Sequence, residues 1–261
     1  MRTVVVGLLL ASVSVCHAHP PFDLAQRALA GDLHAINELV EAHGGNDPTR
    51  IIAARGFRTA GEDDRAFELL EEAMRNGSRA ALWTRVVHHI ERHDWIEGYA
   101  WGRLAMLVEK NDAQVRDDTI EDGDWPMEWS WQFTQRAARN LRETDFPAAD
   151  RRTEELVRDW YELLIAPREK NPDSSPSFVE RRAPTYPRAQ AQARETGWTY
   201  LMLRFDPDGE VAEVLPIVHT HRSFAERAGD AVEDWVIEPA SLDPDDFDRA
   251  FVQTVEFSLS P

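Results

Sequence analysis

His89 and His93 stand one helical turn apart, with His88 adjacent, a spacing that can bring two imidazoles to one divalent ion. A zinc-dependent hydrolase would need a Glu directly after the first His as its base. Ile90 stands there instead, and Glu91 falls on another face. The alternative reading is a solvated helix face. His219 and His221 alternate on an extended segment and can hold a metal only adventitiously. Asp243, Asp245, Asp246 and Asp248 share the acidity of a calcium loop but lack its Gly and terminal Glu, so a solvated acidic turn is expected. No phosphate-binding loop, dinucleotide Gly pattern or Gly-x-Ser-x-Gly elbow occurs. The sequence therefore assigns no catalytic residue, no metal and no cofactor, and the expectation is a protein without enzymatic activity.

The chain of 261 residues has 29 basic and 47 acidic side chains, a net charge of −18, with 43% hydrophobic residues. That is enough apolar material for two modest cores, while the acidic excess argues against nucleic acid and anionic lipid as partners. A mean hydropathy of −0.49 excludes a multi-span membrane protein. The single Cys, Cys16, excludes a disulfide framework and cysteine-rich zinc modules.

Arg2, an apolar run from Val4 to Val15, and Cys16-His17-Ala18 with small residues at the two positions signal peptidase reads, make 1–18 a secretory signal peptide. The run is about 12 residues, against about 20 for a membrane span, and a retained inner-membrane anchor is the alternative. Val13-Ser14-Val15-Cys16 only faintly matches a lipobox, since Val15 is not small. Cleavage after Ala18 would leave a chain without a thiol, suited to an oxidising periplasm.

From 19 to 165 the apolar period is helical, with Gly and Asp breaks every dozen residues, and seven or eight helices are expected. One runs from Asp63 or Asp64 through Ala66, Phe67, Leu70, Ala73 and Met74 to Asn76-Gly77. The next starts at Ser78 and ends near His93, and a third follows Asp94 to Asn111. Ala53, Gly56, Gly61, Asp64, Ala66, Phe67, Leu70, Ala73, Gly77, Ala80, Asp94, Tyr99, Ala100, Trp101 and Ala105 resemble about two degenerate units of the Sel-like and tetratricopeptide α/α repeats. An irregular bundle is the alternative, and either is a scaffold. Trp125, Trp129 and Phe133 share one face of a further helix, as buried anchors or as a gripping surface for peptide or sugar, while Trp131 points elsewhere. Residues 166–183, polar and rich in proline, are expected to be a linker between domains.

The period then changes. Thr199–Phe205 and Val211–Val218 read as a β-hairpin turned by Asp206-Pro207-Asp208-Gly209, followed by a helix from Ser223 to Val236 and a last strand from Phe251 to Leu259. With a short helix in front, the order is α-β-β-α-β.

That order resembles the TonB C-terminal domain family. Pro184-Thr185-Tyr186-Pro187, Gly197, the Phe205, Asp208, Gly209, Val211 hairpin, and Phe224, Ala228, Ala231, Val232, Trp235, Pro239, Ala240 match its ordered motifs across 184–261. His219-Thr220-His221 and Ser241-Leu242-Asp243-Pro244-Asp245-Asp246 depart from it. The expected fold class is multidomain: an all-α, repeat-like N-terminal domain joined to a small α+β domain whose three-stranded antiparallel sheet is packed by helices. The resemblance implies capture of an extended peptide on the sheet edge, with Tyr186, Pro187, Val252, Gln253, Thr254, Val255, Glu256 and Phe257 as candidate binding residues. The partner implied is a protein or peptide of the cell envelope, such as an outer-membrane receptor segment. An energy transducer of this family keeps an uncleaved anchor and a long proline-rich spacer, and an 18-residue linker reaches only about 60 Å. The expectation is therefore a periplasmic protein–protein interaction module, with an anchored transducer and a zinc hydrolase using His89 and His93 as alternatives.

Overall fold

The computed structural model describes residues 20–116, 129–166, 176–243 and 246–258. The candidate signal peptide 1–18, Trp125, most of the expected linker, Pro244, Asp245 and Leu259 lie outside these residues. The layout is helical first and α+β last, as expected. Among the described residues eight α-helices come before the first strand: α1 (Phe22–Leu29), α2 (Leu33–His43), α3 (Asp47–Thr59), α4 (Asp63–Arg75), α5 (Arg79–Glu91), α6 (Trp95–Arg116), α7 (Trp129–Asn140) and α8 (Phe146–Ile165). Among the described residues there follow β1 (Phe178–Glu180), α9 (Arg188–Ala193), β2 (Gly197–Phe205), β3 (Val211–His219), α10 (Arg222–Val232), β4 (Val236–Ile237) and β5 (Phe251–Phe257). No helix of the described residues is long and apolar enough to cross a membrane.

Local chemistry sets the boundaries. Asp32 caps α2 by accepting from the backbone N–H of His34 and Ala35, Asn46 caps α3 through Thr49, and Ser78 caps α5 through Ala81. α4 stops where Gly77 takes φ +77°, its N–H donating to Met74 and that of Ser78 to Ala73.

β2 is the central strand of a sheet in the order β3-β2-β5, antiparallel throughout. Gly209, at φ +85°, closes the β2–β3 hairpin, and Asp206 Oδ1 accepts from the N–H of both Asp208 and Glu210. On one face Leu201, Leu203 and Phe205 of β2 meet Phe251, Val255 and Phe257 of β5, all beneath Phe224, Ala228 and Val232 of α10. Gly197 lets α10 close on the sheet: a Cβ there would stand 2.2 Å from Thr220 Oγ1 and 2.5 Å from Phe224.

The other face is covered too. Trp198, Tyr200 and Met202 alternate with the first set and are equally buried, so β2 is apolar on both sides rather than half-exposed. The cover comes from the N-terminal helices: α3 packs on β3, and Arg204 lies 5.8 Å from the ring of Phe22. Burial pushes the Tyr200 hydroxyl well above its usual range, with the charges of Glu256 and Asp47 adding to it.

The compact units divide the chain differently from the expected domain limits. The described residues up to Leu69 form one compact unit with those from Pro176 to Ser258, and those from Leu70 to Ala166 form another. The stretch 19–165 is thus shared between two units, because the first three helices find their apolar partner in the sheet. The expected linker also ends early. Phe178, inside 166–183, begins β1, which pairs with β4 opposite Ile237, and its ring stands edge-on to Trp235 at 5.3 Å. In the second unit α6 packs against α5, α7 and α8, with Gly102 admitting Thr134 of α7.

Candidate functional site

β5 is a terminal strand of its sheet, and this is where the candidate peptide-binding residues converge. Its register against β2 runs unbroken from Leu203 opposite Phe251 to Gly197 opposite Phe257. Phe251, Gln253, Val255 and Phe257 therefore share the α10 face, and Val252, Thr254 and Glu256 the other. Phe251, Thr254, Val255 and Phe257 are buried, and Val252, Gln253 and Glu256 are half-buried. Specificity for an added strand would come from these flanks, and affinity from the main chain.

The strand's backbone groups can be sorted by parity. Ala250 N–H donates to Pro20 O and Phe22 N–H to Asp248 O, with Pro21 opposite Arg249 in an antiparallel bridge. Residues 248 and 250 thus direct their amides away from β2, and in an unbroken strand Val252 and Thr254 do the same.

Tyr186 and Pro187 lie before β2 and are packed into the unit. Tyr186 is half-buried, its hydroxyl donates to Glu195 O, and its ring packs edge-on against Phe224 at 5.8 Å and Phe257 at 5.7 Å. Burial raises its hydroxyl to about 12, with the charge of Glu195 contributing. Pro187 is buried at the start of α9. Both fix the approach to the sheet and support the far end of β5.

The histidines are rearranged relative to expectation. α5 ends at Glu91, and His93 takes φ +60° outside the helix, where it stacks on Trp95 at 5.0 Å. The one-turn relation to His89 is thereby lost. His88 and His89 are buried at 1% and 4% exposure, which corrects the reading of a solvated face. His89 Nδ1–H donates to Asp94 Oδ2 at 3.3 Å, and its ring stacks on Trp101. Glu71 and Arg85 pair at 2.9 Å, the Arg85 guanidinium lies 4.3 Å over Trp101, Trp101 Nε1–H donates to Glu97, and Glu97 accepts from Arg152 at 2.8 Å. Sequence reasoning missed this network, since its members are scattered over α4, α5, α6 and α8 with no shared period. Among the described residues no three His, Cys, Asp or Glu side chains are grouped to hold a metal ion. His221 caps α10 by accepting from Ser223 N–H, and Asp246 pairs with Arg249 at 3.0 Å. Trp129 and Phe133 are buried and edge-on at 5.8 Å, in keeping with anchors.

His89 gives the second unit a pH dependence. Burial holds it below its ordinary value of 6.5 against the opposing effect of its hydrogen bond to Asp94, and the charge of Arg85 lowers it further. The unfolded chain then binds the extra proton more readily, so stability is full above pH 6.5 and falls as pH drops below it. Thermal midpoints between pH 7.5 and 5 should decline in the native protein, and His89→Gln should flatten that slope.

No protein-family model matches this chain, and no curated protein matches it either. Among the described residues the architecture is helical with a small antiparallel sheet in which β5 is a terminal strand.

Proposed function

We propose that this protein is a non-enzymatic interaction module of the bacterial cell envelope that captures an extended peptide segment by adding it to the outer edge of β5. The observation that carries the reading is the position of β5 at the end of the β3-β2-β5 sheet, with the amides of Val252 and Thr254 directed outward by parity. The order α9, β2, β3, α10, β5 and the likeness of 184–261 to the TonB C-terminal domain family support it, as does the secretory character of 1–18. The Sel-like character of the preceding helices fits a scaffold. The partner is a protein segment that can lie extended, such as part of an outer-membrane receptor.

Val252→Pro removes one outward donor and sets a ring against the incoming strand, while the β2 ladder keeps its bonds. A lost hydrogen bond of about 1 kcal/mol plus the clash should weaken capture at least about tenfold. A photoreactive residue at Glu256 in the exported protein should yield a discrete envelope adduct that Val252→Pro removes. An adduct indifferent to that substitution, or none, would overturn the reading.

A further inference from the structure

Arg181 directly follows β1, and two rings hold its guanidinium: Cζ lies 4.2 Å from the ring centre of Phe178 and 4.4 Å from that of Trp235. The rings are themselves fixed. They meet edge-on at 5.3 Å and 82°, and Trp235, fully buried, donates its Nε1–H to Arg182 O at 2.8 Å. A guanidinium held against aromatic faces still carries all its N–H donors in its own plane, where rings cannot accept them.

Those donors lack acceptors. Nε and Nη2 are shielded from solvent, and neither has a hydrogen-bond partner among the described residues. Nη1 is not sealed in this way and the residue as a whole is half-buried, so the fork meets solvent at its Nη1 end. Other shielded arginines have a carboxylate: Arg50 pairs with Asp47, Arg85 with Glu71 and Arg204 with Glu213. Arg181 has none among the described residues. Burial alone pulls it below the ordinary arginine range, with no carboxylate's charge opposing the shift. In a chain with 47 acidic side chains this is a local omission, and a partly buried cation is destabilising until an anion meets it.

Charge defines the anion. Arg182, the neighbouring cation, is already paired with Asp234 at 2.6 Å, so Arg181 presents a single positive charge. A carboxylate matches it one for one, and its two oxygens suit the paired Nη1 and Nη2 donors. A doubly charged phosphate would leave one charge unmet in a chain of net charge −18. We propose that Arg181 is a carboxylate-binding residue, whose guanidinium, held between Phe178 and Trp235, takes the carboxylate of a small organic acid or of a peptide terminus through Nη1 and Nη2. This site does not rest on peptide capture at β5.

The test uses the full chain, labelled with nitrogen-15, and acetate as the probe. The Nε–H signal of Arg181, identified by its loss in Arg181→Lys, should shift saturably with acetate and stay in place with chloride at matched ionic strength. Phosphate should saturate at a concentration at least about tenfold higher. N-acetylalanine, which presents a chain-terminal carboxylate, separates the two sources. Saturation at least about tenfold below acetate assigns the site to a peptide terminus, and saturation equal to acetate assigns it to a free acid. Acetate should also raise the thermal midpoint of the native protein, by binding the folded state alone. Arg181→Met should lose that rise, while its midpoint in chloride is unchanged or higher, because the substitution removes an uncompensated charge and keeps an apolar stem between the rings. A shift that grows linearly with acetate, a shift equal to the chloride control, or a midpoint rise that persists in Arg181→Met would overturn the site.

Discussion

Trp235→Ala is expected to destabilise the sheet-bearing unit by about 3–5 kcal/mol, read as a lowered urea midpoint. The indole is fully buried in the cluster formed by Phe205, Phe224, Val232 and Ile237. Its ring takes Phe178 edge-on at 5.3 Å and the Arg181 guanidinium at 4.4 Å, and its Nε1–H donates to Arg182 O at 2.8 Å. The truncation thus leaves a cavity, an unpaired carbonyl and a cation without one of its two aromatic neighbours. Trp235→Phe should cost clearly less, because it retains most of the volume and loses mainly the hydrogen bond. A change below about 1 kcal/mol for the Ala variant would mean that β1 and β4 are not held through this ring.

Trp101→Ala should be comparably severe in the helical unit, again about 3–5 kcal/mol. Trp101 is 1% exposed, between the Arg85 guanidinium, the His89 ring and Trp160 at 6.2 Å. Its removal takes the aromatic face from a buried cation whose pKa burial already lowers against the attraction of Glu71. Trp101→Phe keeps a face for Arg85 and forfeits the bond to Glu97, so it separates the cation–π contribution from the hydrogen bond. Equal losses for Ala and Phe would assign the stability to the Glu97 bond; the expected order places Phe well above Ala in thermal midpoint.

The parts of this fold that sequence made legible are those specified by neighbours in the chain. Asp206-Pro207-Asp208-Gly209 contains its own turn chemistry, and the hairpin falls where expected, with β2 two residues longer at Gly197. The α5 start at Ser78 and the α4 stop at Gly77 are local in the same sense. What stayed hidden depends on distant partners. β1 and β4 are three and two residues long, too short to show a period, and exist because Phe178 can reach Trp235. α10 ends at Val232, short of the expected Val236, because Val236 is drawn into pairing with Glu180 and Glu210. The α1–α3 cover over Trp198, Tyr200 and Met202 could have been suspected from β2, which has large apolar residues on both faces, a pattern that one-sided packing does not require.

The position of the candidate residues in the fold was legible in outline: the last strand pairs at the end of the sheet. What the order of elements did not show is that Tyr186 is tied into the unit by both its hydroxyl and its ring. His89 and His93 illustrate an error. A one-turn spacing means convergence only while the helix continues, and α5 stops between them.

The sheet-bearing unit is discontinuous in the chain, and this affects how it is made. α1–α3 precede in the chain the strands they shelter, with roughly 100 residues of the other unit in between. The helical unit can complete its core while the first three helices still lack theirs. Their apolar faces stay uncovered until β2 is made, so the closing of this unit's core is a contact of high sequence separation, which slows folding.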